Sequence, residues 1–190
     1  IITRTRIGGG DPIRFARELR EEHPDLPLVL LADNPPEAHR VKEQNENGPF
    51  DQVIVWRGDV ALFLAIIKYV EDVRNVDQDT RTADLRAILL VENSVRFYST
   101  YLPMLYREVV KQTQALVADG VNPRQRLRRM KARPKVLLAE TFEQGWDLFE
   151  RYRQHVLGII SDARFPRAGR VDAAAGIDFI RRVKEVDPDM

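Results

Sequence analysis

The sequence predicts an α/β protein whose parallel strands are covered by helices on both faces. Three observations carry that expectation. Short apolar runs recur at Ile1-Ile2, Leu28–Ala32, Val53–Trp56, Ile88–Val91, Lys135–Ala139 and Leu157–Ile160. Helical patterns of about ten residues or more alternate with them, which calls for crossover connections and parallel pairing. One strand–loop–helix unit also occurs at both ends of the chain.

Taken in order, Ile1-Ile2 leads through Gly8-Gly9-Gly10 to Asp11, which suits a helix N-cap, with Pro12 at the first helical position. Ile13, Phe15, Ala16 and Leu19 make an apolar stripe that ends at His23-Pro24. Leu28–Ala32 is uninterrupted and bounded by Pro27 and Asp33-Asn34-Pro35-Pro36, as expected of a strand buried on both faces. A polar helix is predicted over about 36–46, before Asn47-Gly48-Pro49 breaks it. Val53–Trp56 is the next strand. From Asp59 an apolar helix carries Leu62, Ile66, Tyr69 and Val73 on one face.

Residues 74–86 are polar and read as a linker, which divides the chain into 1–76, a linker at 77–86, and 87–190. Beyond it, Ile88–Val91 is a strand and Ser94 caps a long helix with Phe97, Tyr101, Leu105, Val109 and Leu116 on its apolar side. Pro103 should kink that helix and Asp119-Gly120 end it. Lys135–Ala139 is a strand, 142–154 a helix with Trp146 and Phe149 inward, Leu157–Ile160 a strand, and 176–186 a helix.

Composition narrows the function classes. Apolar residues make up 44% of the 190, enough for a globular core. There is no cysteine, hence neither a disulfide framework nor a thiolate metal site. The longest apolar runs are too short to cross a bilayer, and residues 1–7 lack the apolar stretch of a secretion signal. A cytoplasmic protein that does not engage a membrane is expected. The chain opens without methionine and is read as a piece of a longer protein. A net charge of +1 argues against a strong nucleic-acid field. Residues 124–135 hold seven basic residues and no acid; against a phosphate-backbone contact, they are read as a solvated helix end and connector, since no aromatic is interleaved. Gly8-Gly9-Gly10 lies in no phosphate-loop pattern and reads as a turn. His23, His39 and His155 stand apart from one another and read as surface or boundary residues.

The repeat sets the frame. Residues 13–26 align without a gap against 177–190, sharing Ile-x-Phe, an arginine pair and a Pro-Asp ending. Residues 1–6 align with 159–164, and the loop between is six residues longer in the second copy. The chain therefore reads as units three to five of one module followed by units one to three of another. Each half exposes a strand edge, and unpaired edges invite association. The halves are expected to pack into one pseudo-complete sheet, within one chain or by exchange between two.

The second half resembles the receiver domain of two-component response regulators, on Ile88-Leu89-Leu90-Val91-Glu92-Asn93-Ser94, Ile159-Ile160-Ser161-Asp162 and Phe165-Pro166. The resemblance implies a doubly wound, flavodoxin-like parallel sheet built from two partial modules. Ligands there sit at the carboxyl ends of strands where the strand order reverses. By resemblance, Asp162 is the phosphoacceptor, and Glu92, Asn93, Asp162 and the Arg164 carbonyl would hold Mg²⁺, an oxygen-seeking cation that needs few protein carboxylates. Asn93 departs from the usual acid and weakens that site. The implied partners are a histidine kinase or a phosphotransfer protein, and the implied role is phosphorelay input, not stand-alone enzymatic activity.

In the first half the matching positions hold Arg4, Ala32 and Trp56 in place of phosphoacceptor, hydroxyl and lysine. That half reads as a degenerate module. The stretch Ser94-Val95-Arg96-Phe97-Tyr98-Ser99 is similar to the paired receiver region that precedes phosphoenolpyruvate synthase-like proteins. The competing readings are a silent pseudo-receiver serving as an interaction or dimerisation module, and a nucleotide-binding enzyme domain, which the missing phosphate loop disfavours.

Overall fold

In the computed structural model, which describes residues 1–5, 10–45, 48–118 and 133–190, strands and helices alternate along the chain. The strands are β1 (Ile2–Arg4), β2 (Val29–Ala32), β3 (Gln52–Val55), β4 (Ala87–Val91), β5 (Lys135–Ala139), β6 (Val156–Ser161), β7 (Phe165–Arg167) and β8 (Arg170–Asp172). The helices are α1 (Pro12–Glu22), α2 (Pro35–Gln44), α3 (Ala61–Ala83), α4 (Val95–Ala118), α5 (Phe142–Tyr152) and α6 (Ala175–Val186), with a single 3₁₀ turn at Arg153–His155. Local chemistry explains several starts. The Asp11 carboxylate accepts from the Ile13 amide and Pro12 opens α1. Asn34 accepts from the Glu37 amide and Thr141 from the Gln144 amide at the starts of α2 and α5.

Two parallel three-stranded sheets result, in the orders β1-β2-β3 and β5-β4-β6. All four residues of β2 are buried, as the unbroken apolar run requires. The loop expected after β6 contains a small antiparallel hairpin, β7–β8. Its turn is Ala168-Gly169, both at positive φ (50° and 75°). The Glu143 carboxylate holds the Ala168 amide at 2.8 Å, and Arg167 stacks over Phe142 at 4.5 Å.

The expected linker is a helix. Residues 77–83 continue α3, and only Asp84, Leu85 and Arg86 connect it to β4. Asp84 takes the left-handed conformation that ends the helix (φ 50°). The stretch looked like a linker because its stabilising partners lie far along the chain. Val76 joins the core around β4 and α5. Asp77 accepts from Arg151 at 2.6 Å and from the Tyr152 hydroxyl at 2.8 Å.

Within the chain, the single pseudo-complete sheet is not formed either. The two sheets stay separate, and each has one edge closed by a helix from the other half of the chain. At β3, the Tyr98 hydroxyl of α4 donates to the Val53 carbonyl at 2.8 Å. The Val55 amide donates to Ser99 Oγ at 2.9 Å. At β5, the Val136 amide donates to Asp72 of α3, also at 2.9 Å. Hydroxyl and carboxylate side chains thus stand in for the missing strand.

This capping decides which face of α4 turns inward. Tyr98, Leu102 and Tyr106 are buried in the core around β2 and β3. Phe97 and Tyr101, expected inward, are exposed and stacked on each other with centroids 6.1 Å apart. A second core gathers Phe142, Trp146, Phe149, Phe165 and Phe179 between α5, α6 and the β5-β4-β6 sheet. Pro103 lies within α4. Asp119-Gly120 falls outside the described residues. Among the described residues no helix is long and apolar enough to cross a membrane.

Candidate functional site

The carboxyl end of the second sheet brings two of the expected residues together. Val91 and Ser161 are partners in the β4–β6 register, so Glu92 and Asp162 leave neighbouring strands side by side. The Asp162 amide donates to the Val91 carbonyl, and the Glu92 amide to the Ala139 carbonyl, both at 2.9 Å. Glu92 is only 3% exposed, and one of its oxygens accepts from the Ser94 amide at 2.8 Å. Burial raises the Glu92 carboxyl above its ordinary range, and the nearby Asp162 charge raises it further. One oxygen of Asp162 accepts from the Ala163 amide at 2.7 Å.

The loop carrying Asp162 is pressed against α6. The Gly176 amide donates to the Ala163 carbonyl at 3.0 Å. A Cβ at position 176 would sit 2.0 Å from the Asp162 carbonyl oxygen, so only glycine permits this approach.

The remaining expected residues are less closely tied to the pair. Asn93 is half-exposed, and its backbone carbonyl accepts from Lys42 at 3.2 Å. Arg164 is exposed on the loop beyond Asp162. Among the described residues no group of three or more His, Cys, Asp or Glu side chains is arranged to hold a metal ion. A divalent cation here would depend on Glu92 and Asp162, with Asn93 as a neutral oxygen donor.

A groove of about 790 Å³, which Asn93 lines but Glu92 and Asp162 do not, opens between α2 and β3 on one side and the loops after β4 and β5 on the other. Lys42, Asn93, Arg96, Glu140 and Gln144 line it. Sequence reasoning missed Lys42 and Glu140. Glu140 could have been found, because it directly follows the KVLLA strand and must lie at a carboxyl strand end. Lys42 carries no such signal, as it sits in a polar helix of the other half. Burial lowers its ammonium to a pKa of about 8, against the opposing pull of Glu92.

The same strand-end positions in the first sheet are chemically different. Arg4, at the end of β1, forms an ion pair with Asp33, which follows β2. The Asp33 amide donates to Glu37 at 2.7 Å. Ala32 is fully buried, and Trp56 is half-buried with its ring 5.0 Å from that of Phe63.

The basic stretch requires a correction for its last members. Arg133 and Lys135, read as solvated, are buried. Arg133 grips both oxygens of Asp72 at 2.8 and 2.6 Å, and the Tyr106 hydroxyl donates to the same carboxylate at 2.9 Å. Lys135 pairs with Asp72 and Asp79. Asp72 is itself fully buried, so these two cations serve the contact between α3 and β5. Residues 124–132 lie outside the described residues, as do Gly8 and Gly9. Tyr98 is fully buried. No family model matches the chain, and no similar curated protein or solved structure was found.

Proposed function

We propose that residues 87–190 form the first three units of a receiver-like, flavodoxin-like signalling module, with Asp162 as phosphoacceptor and Glu92 as its acidic neighbour. The observation that carries this reading is the pairing of the two carboxylates. They follow adjacent parallel strands, one of them central, in a sheet of order β5-β4-β6. Counted within the second half, that order is two-one-three, the start of a doubly wound sheet whose binding crevice lies at the carboxyl ends of strands one and three.

In the proposed reaction, the Asp162 oxygen not held by the Ala163 amide attacks phosphorus. An O–P bond forms, the donor's bond to phosphorus breaks, and the donor leaves with the electron pair. A bound divalent cation would neutralise charge on the attacked phosphate and on the acids. The chain's own part is to hold Glu92 and Asp162 side by side and to fix the Asp162 loop against α6. Residues 1–76 act as a degenerate companion module. The donor would be a histidine kinase or a phosphotransfer protein, and the setting cytoplasmic phosphorelay.

The second reading, a silent pseudo-receiver that works as an interaction module, is favoured by the neutral Asn93 and by Lys42 standing at the mouth of the groove. Acetyl phosphate with Mg²⁺, applied to the 190-residue chain, separates the two. Label that disappears in Asp162→Ala and rises in Asn93→Asp supports phosphorylation. Absence of label in both the unaltered chain and its Asn93→Asp variant makes the silent reading correct.

A further inference from the structure

The start of α3 is apolar on every side. From Val60 to Ile67 no residue carries a charge or a hydrogen-bonding side chain. A helix of that composition is ordinarily enclosed, since a helix on the surface of a core needs only one apolar face. Here the chain covers one side alone. Leu62, Ala65 and Ile66 are buried, whereas Val60, Phe63, Leu64 and Ile67 are 74%, 39%, 45% and 58% exposed. These four follow the i, i+3, i+4, i+7 spacing that gathers residues on one helix face. Trp56 extends the patch, with its ring 5.0 Å from that of Phe63. Charge returns only at the two ends of the stripe, as Asp59 before it and Lys68 after it. Asp59 is held by the Ala61 amide at 2.9 Å and meets Arg107 at 3.5 Å, while Lys68 bonds Glu71 on its own helix at 2.7 Å.

The stripe reads the same in both directions. Turning a second α3 end for end, about an axis between Phe63 and Leu64, sets Val60 against Ile67 and Phe63 against Leu64. The same operation sets Asp59 against Lys68. Apolar positions fall on apolar ones and an acid falls on a base, which is the self-complementarity that a two-fold interface requires. We propose that this face of α3 is the docking surface for a second copy of the chain, packed antiparallel across that axis. The exposed apolar side chains of both copies are then removed from water, and the two Asp59–Lys68 pairs form a polar rim around them. The surface lies apart from the sheet edges and from Glu92 and Asp162, so the proposal does not rest on the reading of Asp162 as a phosphoacceptor.

Sedimentation of the 190-residue chain over a range of concentrations should show a monomer–dimer equilibrium. Leu64→Glu should weaken it at least about tenfold, because two carboxylates then meet beside the axis. The register is read by crosslinking. The chain contains no cysteine, so Val60→Cys and Ile67→Cys each carry a single thiol. Mixed and oxidised, the two variants should join to each other in preference to either joining itself. In the antiparallel pair the two copies of residue 60 are offset by about two helical turns, beyond disulfide reach. Should Leu64→Glu fail to fold, the crosslinking decides alone. A chain that stays monomeric overturns the proposal. So does an association that Leu64→Glu leaves unaltered, as pairing through a free sheet edge would, and so does Val60→Cys joining itself as readily as it joins Ile67→Cys.

Discussion

The two sheets present their carboxyl ends in contrasting ways. In the first, Arg4 and Asp33 come from adjacent strand ends of one sheet and cancel each other at the surface, with side chains 56% and 38% exposed. In the second, Glu92 and Asp162 are both acidic, one of them buried, and a helix of the other half brings a lysine to the carbonyl of the adjoining Asn93. Arg4 and Asp162, matching positions of the repeated unit, thus carry opposite charges. A strand end that balances its own charge is closed to chemistry. One that leaves two acids together keeps their mutual repulsion until a cation is brought to it.

The contrast can be probed first at the contact between the halves. Asp72→Ala leaves Arg133 and Lys135 buried without their shared carboxylate and frees the Val136 amide. It should lower stability by about 3–5 kcal/mol in urea denaturation. A loss below about 1 kcal/mol would mean that water reaches the site and that the halves are less dependent on each other. Next come the caps on β3. Tyr98→Phe and Ser99→Ala each strand a buried backbone group, and each should cost roughly 1–3 kcal/mol in the same measurement.

A smaller effect concerns pH. The Glu92 carboxyl is raised in the folded state, so between its ordinary value of 4.5 and its raised value the folded protein binds more protons than the unfolded one. The stability associated with this proton is present at low pH and lost as pH rises through that window. Glu92→Gln should flatten the decline, which cannot exceed roughly 1.4 kcal/mol per pH unit for a single proton. Thermal unfolding from pH 4 upward checks the slope. The smallest effect is expected at the self-balanced end: Arg4→Ala should change stability by less than about 1 kcal/mol, because the ion pair is exposed. A larger loss there would erase the distinction between the two ends.

Much of this architecture was legible in the sequence because it depends on local pattern. The KVLLA and LVLLA runs, the Asp11-Pro12 start and the pairing of residues 1–26 with 159–190 all act within a few residues of themselves. Placing Glu92 and Asp162 together needed only strand order, since strand ends bring their following residues into line. What escaped detection depends on partners distant in the chain. The polar residues of α3 looked like a linker until Arg151, Tyr152 and Lys135 were placed against them. The register of α4 was misjudged because periodicity offers two apolar faces, Phe97-Tyr101 and Tyr98-Leu102. Hydrogen bonding to the bare edge of β3 selects the second. Lys42 was invisible for the same reason, as its meaning comes from a strand end in the other half.

The reciprocal closure of the two sheets also imposes an order on synthesis. Val55 reaches its cap only when Ser99 has been made, 44 residues later. Asp72 waits a further 61 residues beyond itself for Arg133. At a ribosomal rate of about 5–20 residues per second, that carboxylate spends roughly 3–12 s without its strongest partner. During that interval α3 has no β5 to close, while β3, already paired with β2, gains α4 along its open edge. The nascent first half therefore passes through a period as an unfinished edge, and its exposure to chaperones or to other nascent chains is greatest before α4 emerges.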